Sequence, residues 1–165
     1  MESHELIQHV SANFSRIYLG SIPSLLSDGG AYLSFICVLT AIEALGGFLA
    51  PKAKNGARFK AFVEKYFPGP LSNQANDLWT LRNAAIHGFS TGPYALTHHN
   101  SHLHLTEDRG RILLNAEDFY AAPVIASERF LDRGREDPAL QEAFQERAKD
   151  RRTGLLVVGP FEGVS

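Results

Sequence analysis

The chain has 165 residues, 44% of them hydrophobic and 21% charged, which fits one globular domain with a substantial core. The net charge of −2 argues against a protein that coats nucleic acid non-specifically, because such domains are usually strongly basic. Cys37 is the only cysteine, which excludes a disulfide within the chain and favours a cytoplasmic setting. The first ten residues, MESHELIQHV, lack the apolar segment of a signal peptide.

Apolar residues recur at helical spacing through most of the chain. In the first predicted helix, Leu6, Val10 and Phe14 lie on one face. The sequence predicts helices over residues 4–19, 29–49, 56–67, 72–87, 116–133 and 138–151. The second of these helices is the most apolar, but Glu43 and a glycine pair interrupt it, and the uncharged run before Glu43 is too short to cross a bilayer. We therefore predict that it is the central buried helix.

The pattern changes between residues 94 and 114. Asn100-Ser101 and the residues around Gly110 have turn chemistry, which predicts a small β-hairpin or meander before the last two helices. The tail over residues 153–165 is apolar enough for a small strand, although it could equally be loose. The predicted fold is one all-α domain over residues 1–165 with a small β element.

The segment LRNAAIHG, residues 81–88, places an arginine, an amide and a histidine around the last turn of a predicted helix. Arginine stays charged and binds phosphate through parallel donors, and histidine titrates near neutral pH and suits proton transfer. Alternatively, Arg82 pairs with a carboxylate and His87 caps the last carbonyls. Glu43 is the obvious partner, because an unpaired charge on an apolar helix is costly. That pair would either position Arg82 for phosphate or be purely structural.

The same segment resembles the signature of the HEPN superfamily (higher eukaryote and prokaryote nucleotide-binding domains). That signature is an arginine, usually followed by a polar residue, and then a histidine after a short spacer. Here Arg82, Asn83 and His87 match it, and the surrounding helices follow the order of a HEPN bundle. The resemblance covers roughly residues 5–90, with a further part near residues 116–133.

This resemblance implies an antiparallel helical bundle that forms a homodimer. Many members are metal-independent RNA endonucleases of toxin–antitoxin systems or phage defence, in which the arginine and histidine of two protomers meet in one cleft. Arg82 would then bind phosphate, His87 would transfer protons and Asn83 would orient either group. Attack by the RNA 2′-OH would leave a 2′,3′-cyclic phosphate and a 5′-OH. The implied partners are RNA, a second copy of the chain and a protein inhibitor, with no cofactor and no membrane.

Two further points qualify that expectation. Some HEPN toxins carry a tyrosine two residues after the motif histidine, which a partner nucleotidyltransferase modifies with AMP. Phe89 occupies that position here, so inactivation by that route is not implied. The alternative function is a non-catalytic HEPN-like module that binds a nucleotide or a protein and uses Arg82, Glu43 and His87 structurally.

Residues outside the motif give weaker indications. A basic stretch after the central helix offers candidate RNA contacts, although a solvated helix face is the alternative: Lys52, Lys54, Arg58 and Lys60. Trp79 and Phe89 are candidates for base stacking, with core packing the favoured role of each.

A histidine cluster lies within the predicted β element. A hairpin turn at Asn100-Ser101 would place His99, His102 and His104 on one face, where they are weak candidates for binding Zn, Ni or Cu. No carboxylate or cysteine completes a recognised ligand set, so no metal is expected there. A metal-binding accessory protein is accordingly the third functional hypothesis.

Overall fold

The computed structural model describes residues 1–27 and 29–150, so the predicted strand in the tail and the predicted helix end at residue 151 lie outside the described residues. The described chain is mainly helical with a small three-stranded sheet, as predicted. Its α-helices are α1 (Ser3–Phe14), α2 (Ile22–Ser27), α3 (Ala31–Leu49), α4 (Asn55–Tyr66), α5 (Ala75–Gly88), α6 (Ala116–Glu136) and α7 (Pro138–Lys149). Its strands are β1 (Tyr94–Thr97), β2 (Glu107–Asp108) and β3 (Arg111–Asn115).

Helix α3 is the centre of the fold. It contacts α2, α4, α5, α6 and α7, and its buried side chains join those of the other helices in one core. By length and composition alone α3 is long and apolar enough to cross a membrane, but half of its most apolar window is buried inside the protein. That burial is consistent with the core helix of a soluble protein, and the predicted role of α3 is confirmed.

The glycine pair in α3 is a contact surface between helices. A Cβ added to Gly46 would lie 2.7 Å from the carbonyl oxygen of Arg58 in α4. A Cβ added to Gly47 would lie 3.1 Å from the guanidinium of Arg147 in α7. The absence of side chains at these two positions therefore lets α4 and α7 lie directly against α3.

Several helix boundaries differ from the prediction for local reasons. Helix α1 and a following π-helical turn, Ser15–Leu19, together cover the predicted helix 4–19. The sequence pattern does not predict helix α2, because a proline such as Pro23 usually ends a helix. Pro23 is the second residue of α2, where its missing N–H costs no helical hydrogen bond. The predicted helix 72–87 begins later, because Gly69–Gln74 form a 3₁₀ helix.

The predicted turn around Gly110 is present, joining β2 and β3 as an antiparallel hairpin, but the predicted hairpin at Asn100-Ser101 is wrong. Strand β3 is central, pairing in parallel with β1 and antiparallel with β2. Ser101–Leu103 form a 3₁₀ turn instead of part of a strand. Side chains at the junction of β3 and α6 cause this difference, since the backbone N–H of Asn100 donates to Asn115 Oδ1 at 3.0 Å, and the Asn115 side chain donates to Asp118 at 2.5 Å. These bonds hold the middle of the connecting loop, residues 98–106, out of the sheet, and the loop rejoins β3 only at its end, where the backbone of Leu105 and Thr106 bonds to that of Leu113.

Candidate functional site at the end of helix α5

Arg82 of α5 and Glu43 of α3 form an ion pair. Oε2 of Glu43 lies 2.8 Å from Nε and 2.7 Å from Nη2 of Arg82. The two side chains are only 16% and 15% exposed, so each offsets part of the cost of removing the other from water. The ion pair that the sequence predicted is present, and it joins α5 to the central helix.

The other edge of the Arg82 guanidinium faces the rest of the motif. Nη1 lies 3.2 Å from Oδ1 of Asn83 and 3.4 Å from Nε2 of His87. A guanidinium can only donate, so Nε2 of His87 is the acceptor in this contact. Residues five apart do not face each other on a regular helix, and the contact forms because the long Arg82 side chain reaches the helix end.

The face of the Arg82 guanidinium lies over Trp79, 5.3 Å from the ring centroid. Trp79 is half-buried and packs against Phe59 of α4, with ring centroids 5.3 Å apart. A Cβ on Gly56, near the start of α4, would lie 3.0 Å from the indole. Trp79 therefore packs in the core, as predicted, and also supports Arg82, a contact that helical spacing alone did not reveal.

Solvent reaches the two motif residues unequally. His87 is exposed at the end of α5, whereas Arg82 is mostly covered. A guanidinium has five N–H donors, and Glu43 engages the one on Nε and one on Nη2. The donors on Nη1 and the outer donor on Nη2 remain for other acceptors. A phosphate oxygen would take up the Nη1 donor that faces His87, while Asn83 keeps the other.

Helix α5 ends at Gly88, but Phe89 is the left-handed residue that closes it, with φ 47° and ψ 45°. Glycine is usual in this conformation, because a Cβ costs about 1–2 kcal/mol there. The Phe89 side chain is 88% exposed, so the core role favoured from the sequence is wrong for this residue. Its ring contacts that of Tyr32 in α3, a residue that no sequence signal singled out.

The basic residues are spread over several surroundings. Lys52 bonds Glu146 of α7 at 2.8 Å, and the backbone of Arg58 packs on α3 while its buried Nε has no hydrogen-bond partner. Lys54 is exposed and immediately precedes α4, the helix that packs on Trp79. Lys60 is half-buried within α4, and Lys54 lies two residues before Gly56, whose backbone approaches Trp79. The predicted RNA-contacting residues, Lys52, Lys54, Arg58 and Lys60, therefore do not form one cluster.

The three candidate metal-ligating histidines have separate roles, because the hairpin that would align them does not form. Nδ1 of His99 lies 2.7 Å from Glu117, and His102 is exposed in the 3₁₀ turn. Nδ1 of His104 accepts the backbone N–H of Asn115 at 3.1 Å. Within residues 1–27 and 29–150, no group of three His, Cys, Asp or Glu side chains could hold a metal ion.

His104 should make stability depend on pH. Burial lowers its pKa, against the opposing effect of the Asp118 carboxylate. Because the folded pKa lies below the unfolded value of about 6.5, the unfolded chain binds the proton more readily in the window between them. We therefore expect the free energy of unfolding to fall as the pH drops through that window, and urea titrations at about pH 7 and about pH 5 measure the change.

Substitutions assign this pH dependence to its residue. His104→Gln should flatten part of it, and His102→Gln, at an exposed position, serves as the matched control. Equal pH profiles for the two variants would contradict the role given to His104.

No family model, curated protein or solved structure matches this chain. The site can therefore be classified only from its own geometry. A carboxylate fixes an arginine at one helix end, and an amide and an exposed histidine lie beside that arginine.

Proposed function

We propose that this chain is a metal-independent RNA endonuclease of the HEPN type that acts as a cytoplasmic homodimer. The observation that carries the proposal is the 3.4 Å approach of Arg82 Nη1 to His87 Nε2, with Glu43 fixing the opposite edge of the guanidinium. It sets a phosphate-binding cation beside a proton-transfer group at an exposed helix end. The match of Arg82, Asn83 and His87 to the HEPN signature supports the same function.

The reaction follows from the chemistry of RNA, which carries its own nucleophile. The unprotonated Nε2 of His87 accepts the proton of a 2′-OH, and the oxygen attacks the adjacent phosphorus. The bond to the 5′-oxygen breaks, that oxygen takes up a proton, and the products end in 2′,3′-cyclic phosphate and 5′-OH. Arg82 donates to the non-bridging oxygens and stabilises their added charge, and Asn83 holds Nη1 in place.

A second protomer would complete this apparatus, because one chain supplies a single motif histidine for two proton transfers. Two apolar side chains on the helices that build the site support a contact there. Leu33 of α3 is 53% exposed and Ile86 of α5 is 38% exposed. We propose that a second copy covers part of this surface and supplies the general acid.

A toxin–antitoxin or phage-defence role would require a means of restraining the nuclease. Phe89 has no hydroxyl to receive AMP, so we propose a protein inhibitor that binds the site directly. The exposed His87 is open to such a partner.

The test is cleavage of mixed RNA in EDTA. We expect the wild-type protein to cleave and to leave cyclic-phosphate ends. His87→Ala should lower the rate at least about a hundredfold, the usual size of a lost proton-transfer group. Its melting temperature should change little, because the side chain is exposed. His4→Ala, at an exposed position of α1, is the control, and activity that survives His87→Ala or that EDTA abolishes would refute the mechanism.

The second candidate function is a non-catalytic HEPN-like module that binds a nucleotide or a protein. The nearly complete engagement of Arg82, at 16% exposure, favours it. In that case the wild-type protein would bind its ligand without cleaving any RNA, and Arg82 and Glu43 would serve only to join α5 to α3.

A further inference from the structure

Phe89 combines two unfavourable features. Among the exposed large hydrophobic side chains of the described residues it is the most exposed, at 88%, and its backbone adopts a left-handed conformation that favours glycine. A glycine here would remove both features. Strained backbone in a native protein clusters at functional positions, so Phe89 calls for a role that needs its ring.

The ring of Phe89 contacts one other side chain and is otherwise exposed to solvent. It lies 5.4 Å from the ring of Tyr32, at an interplanar angle of 62°, in edge-to-face contact. The Tyr32 hydroxyl in turn donates to the carbonyl of Ala85 in α5, at 3.4 Å. Tyr32 therefore positions the Phe89 ring while most of its surface stays in solvent.

The surroundings of this aromatic pair leave room for a ligand. Tyr32 also lines a cavity of about 370 Å³, with β1 and His98 on its other side. His87 precedes Phe89 by two residues at the same helix end. An RNA strand at His87 would thus pass the exposed ring of Phe89, and the cavity borders the other member of the aromatic pair, Tyr32.

Electrostatic attraction contributes little to the affinity of this site for RNA. The chain carries a net charge of −2, and Glu43 pairs with the guanidinium of Arg82. Attraction to the phosphate backbone depends on uncompensated cations. Stacking of a base on an aromatic ring does not, and it tolerates any base.

We propose that Phe89 is a stacking platform for one base of the single-stranded RNA bound at Arg82 and His87. The identity of the ligand rests on the proposed function, whereas the stacking contact is tested separately from cleavage. Purines should be preferred at this position, because they offer the larger ring surface.

Three substitutions at one position separate stacking from other effects. Phe89→Leu keeps an apolar side chain without an aromatic face, Phe89→Trp keeps the aromatic face, and Phe89→Gly removes the ring and the backbone strain. We expect the leucine and glycine variants to bind RNA about tenfold or more weakly, and the tryptophan variant to bind as tightly as the parent. The glycine variant should melt at the same or a higher temperature, which excludes misfolding as the cause.

The readout is a fluorescence titration in EDTA with a short single-stranded RNA that contains 2-aminopurine, whose emission is quenched by stacking. All proteins carry His87→Ala, so the RNA stays intact. Quenching and tight binding that the leucine variant loses and the tryptophan variant keeps would support stacking. If the protein with native His87 fails to cleave RNA while this quenching persists, the nuclease proposal fails and the stacking proposal stands.

Three results would overturn the stacking proposal. The first is equal affinity and quenching for the parent and the leucine variant, in a protein that still cleaves RNA when His87 is present. The second is absence of RNA binding by every variant. The third is loss of a dimer in sedimentation by the glycine variant with unchanged RNA affinity, which would make Phe89 a contact between copies of the chain.

Discussion

Arg82→Lys is expected to lower the rate of RNA cleavage at least about a thousandfold while the protein stays folded. The guanidinium uses two edges: Nε and Nη2 donate to Glu43, and Nη1 faces His87. A single lysine ammonium can compensate the mostly buried carboxylate of Glu43, but it has no second edge to present to a phosphate. Cleavage in EDTA and urea unfolding together measure the two consequences.

Lysine is the informative replacement, because Arg82→Ala would leave Glu43 without a partner and cost about 3–5 kcal/mol of stability. A matched control is Arg133→Lys, which alters an exposed arginine of α6 paired with Asp137 at 3.4 Å. That variant should cleave RNA at the wild-type rate. Activity of Arg82→Lys within about tenfold of wild type would assign Arg82 a structural role only.

Gly46→Ala should destabilise the protein by about 2–4 kcal/mol, at or above the usual cost of overpacking a core. The new Cβ would lie 2.7 Å from the carbonyl oxygen and 3.0 Å from the carbonyl carbon of Arg58. Both are backbone atoms of α4, so relief requires α3 and α4 to move apart. The midpoint of urea unfolding measures the loss.

Gly134→Ala is the matched control for that substitution. Gly134 also lies in a helix, α6, and its added Cβ would make ordinary contacts of 3.5 Å with Phe144 and 3.6 Å with Ile7. The higher helix propensity of alanine should leave this variant unchanged or up to about 1 kcal/mol more stable. Similar unfolding midpoints for the two variants would show that the α3–α4 crossing tolerates a Cβ at Gly46.

The ion pair of the site was predictable from the sequence, because Glu43 interrupts the most apolar helix and needs a compensating charge. The exposure of the Phe89 side chain could not be predicted in this way. Its exposure depends on the backbone turning left-handed one residue after Gly88, and sequence patterns locate helix ends only to within a residue or two. The support of Arg82 by Trp79 also lay beyond prediction, since the helical pattern marks a face without identifying what packs on it.

The spacing of apolar residues predicted the larger helices correctly. The strand-like pattern of the connecting loop, in contrast, predicted the wrong structure. The alternation around Asn100 predicts a hairpin, but the competing bonds come from Asn115 and Asp118, more than a dozen residues along the chain. Local pattern cannot weigh such distant side-chain bonds. The expected alignment of His99, His102 and His104 on one face fails for the same reason, because that face would exist only in the hairpin.

Trp79 is the only tryptophan of the chain, and its indole lies between Gly56 and the guanidinium of Arg82. The tryptophan fluorescence of the protein therefore originates at the candidate site. Any ligand that draws the guanidinium of Arg82 away from the indole changes the surroundings of this single emitter. The molecule thus contains its own optical reporter for occupancy of the site, readable without a label and in the absence of any reaction.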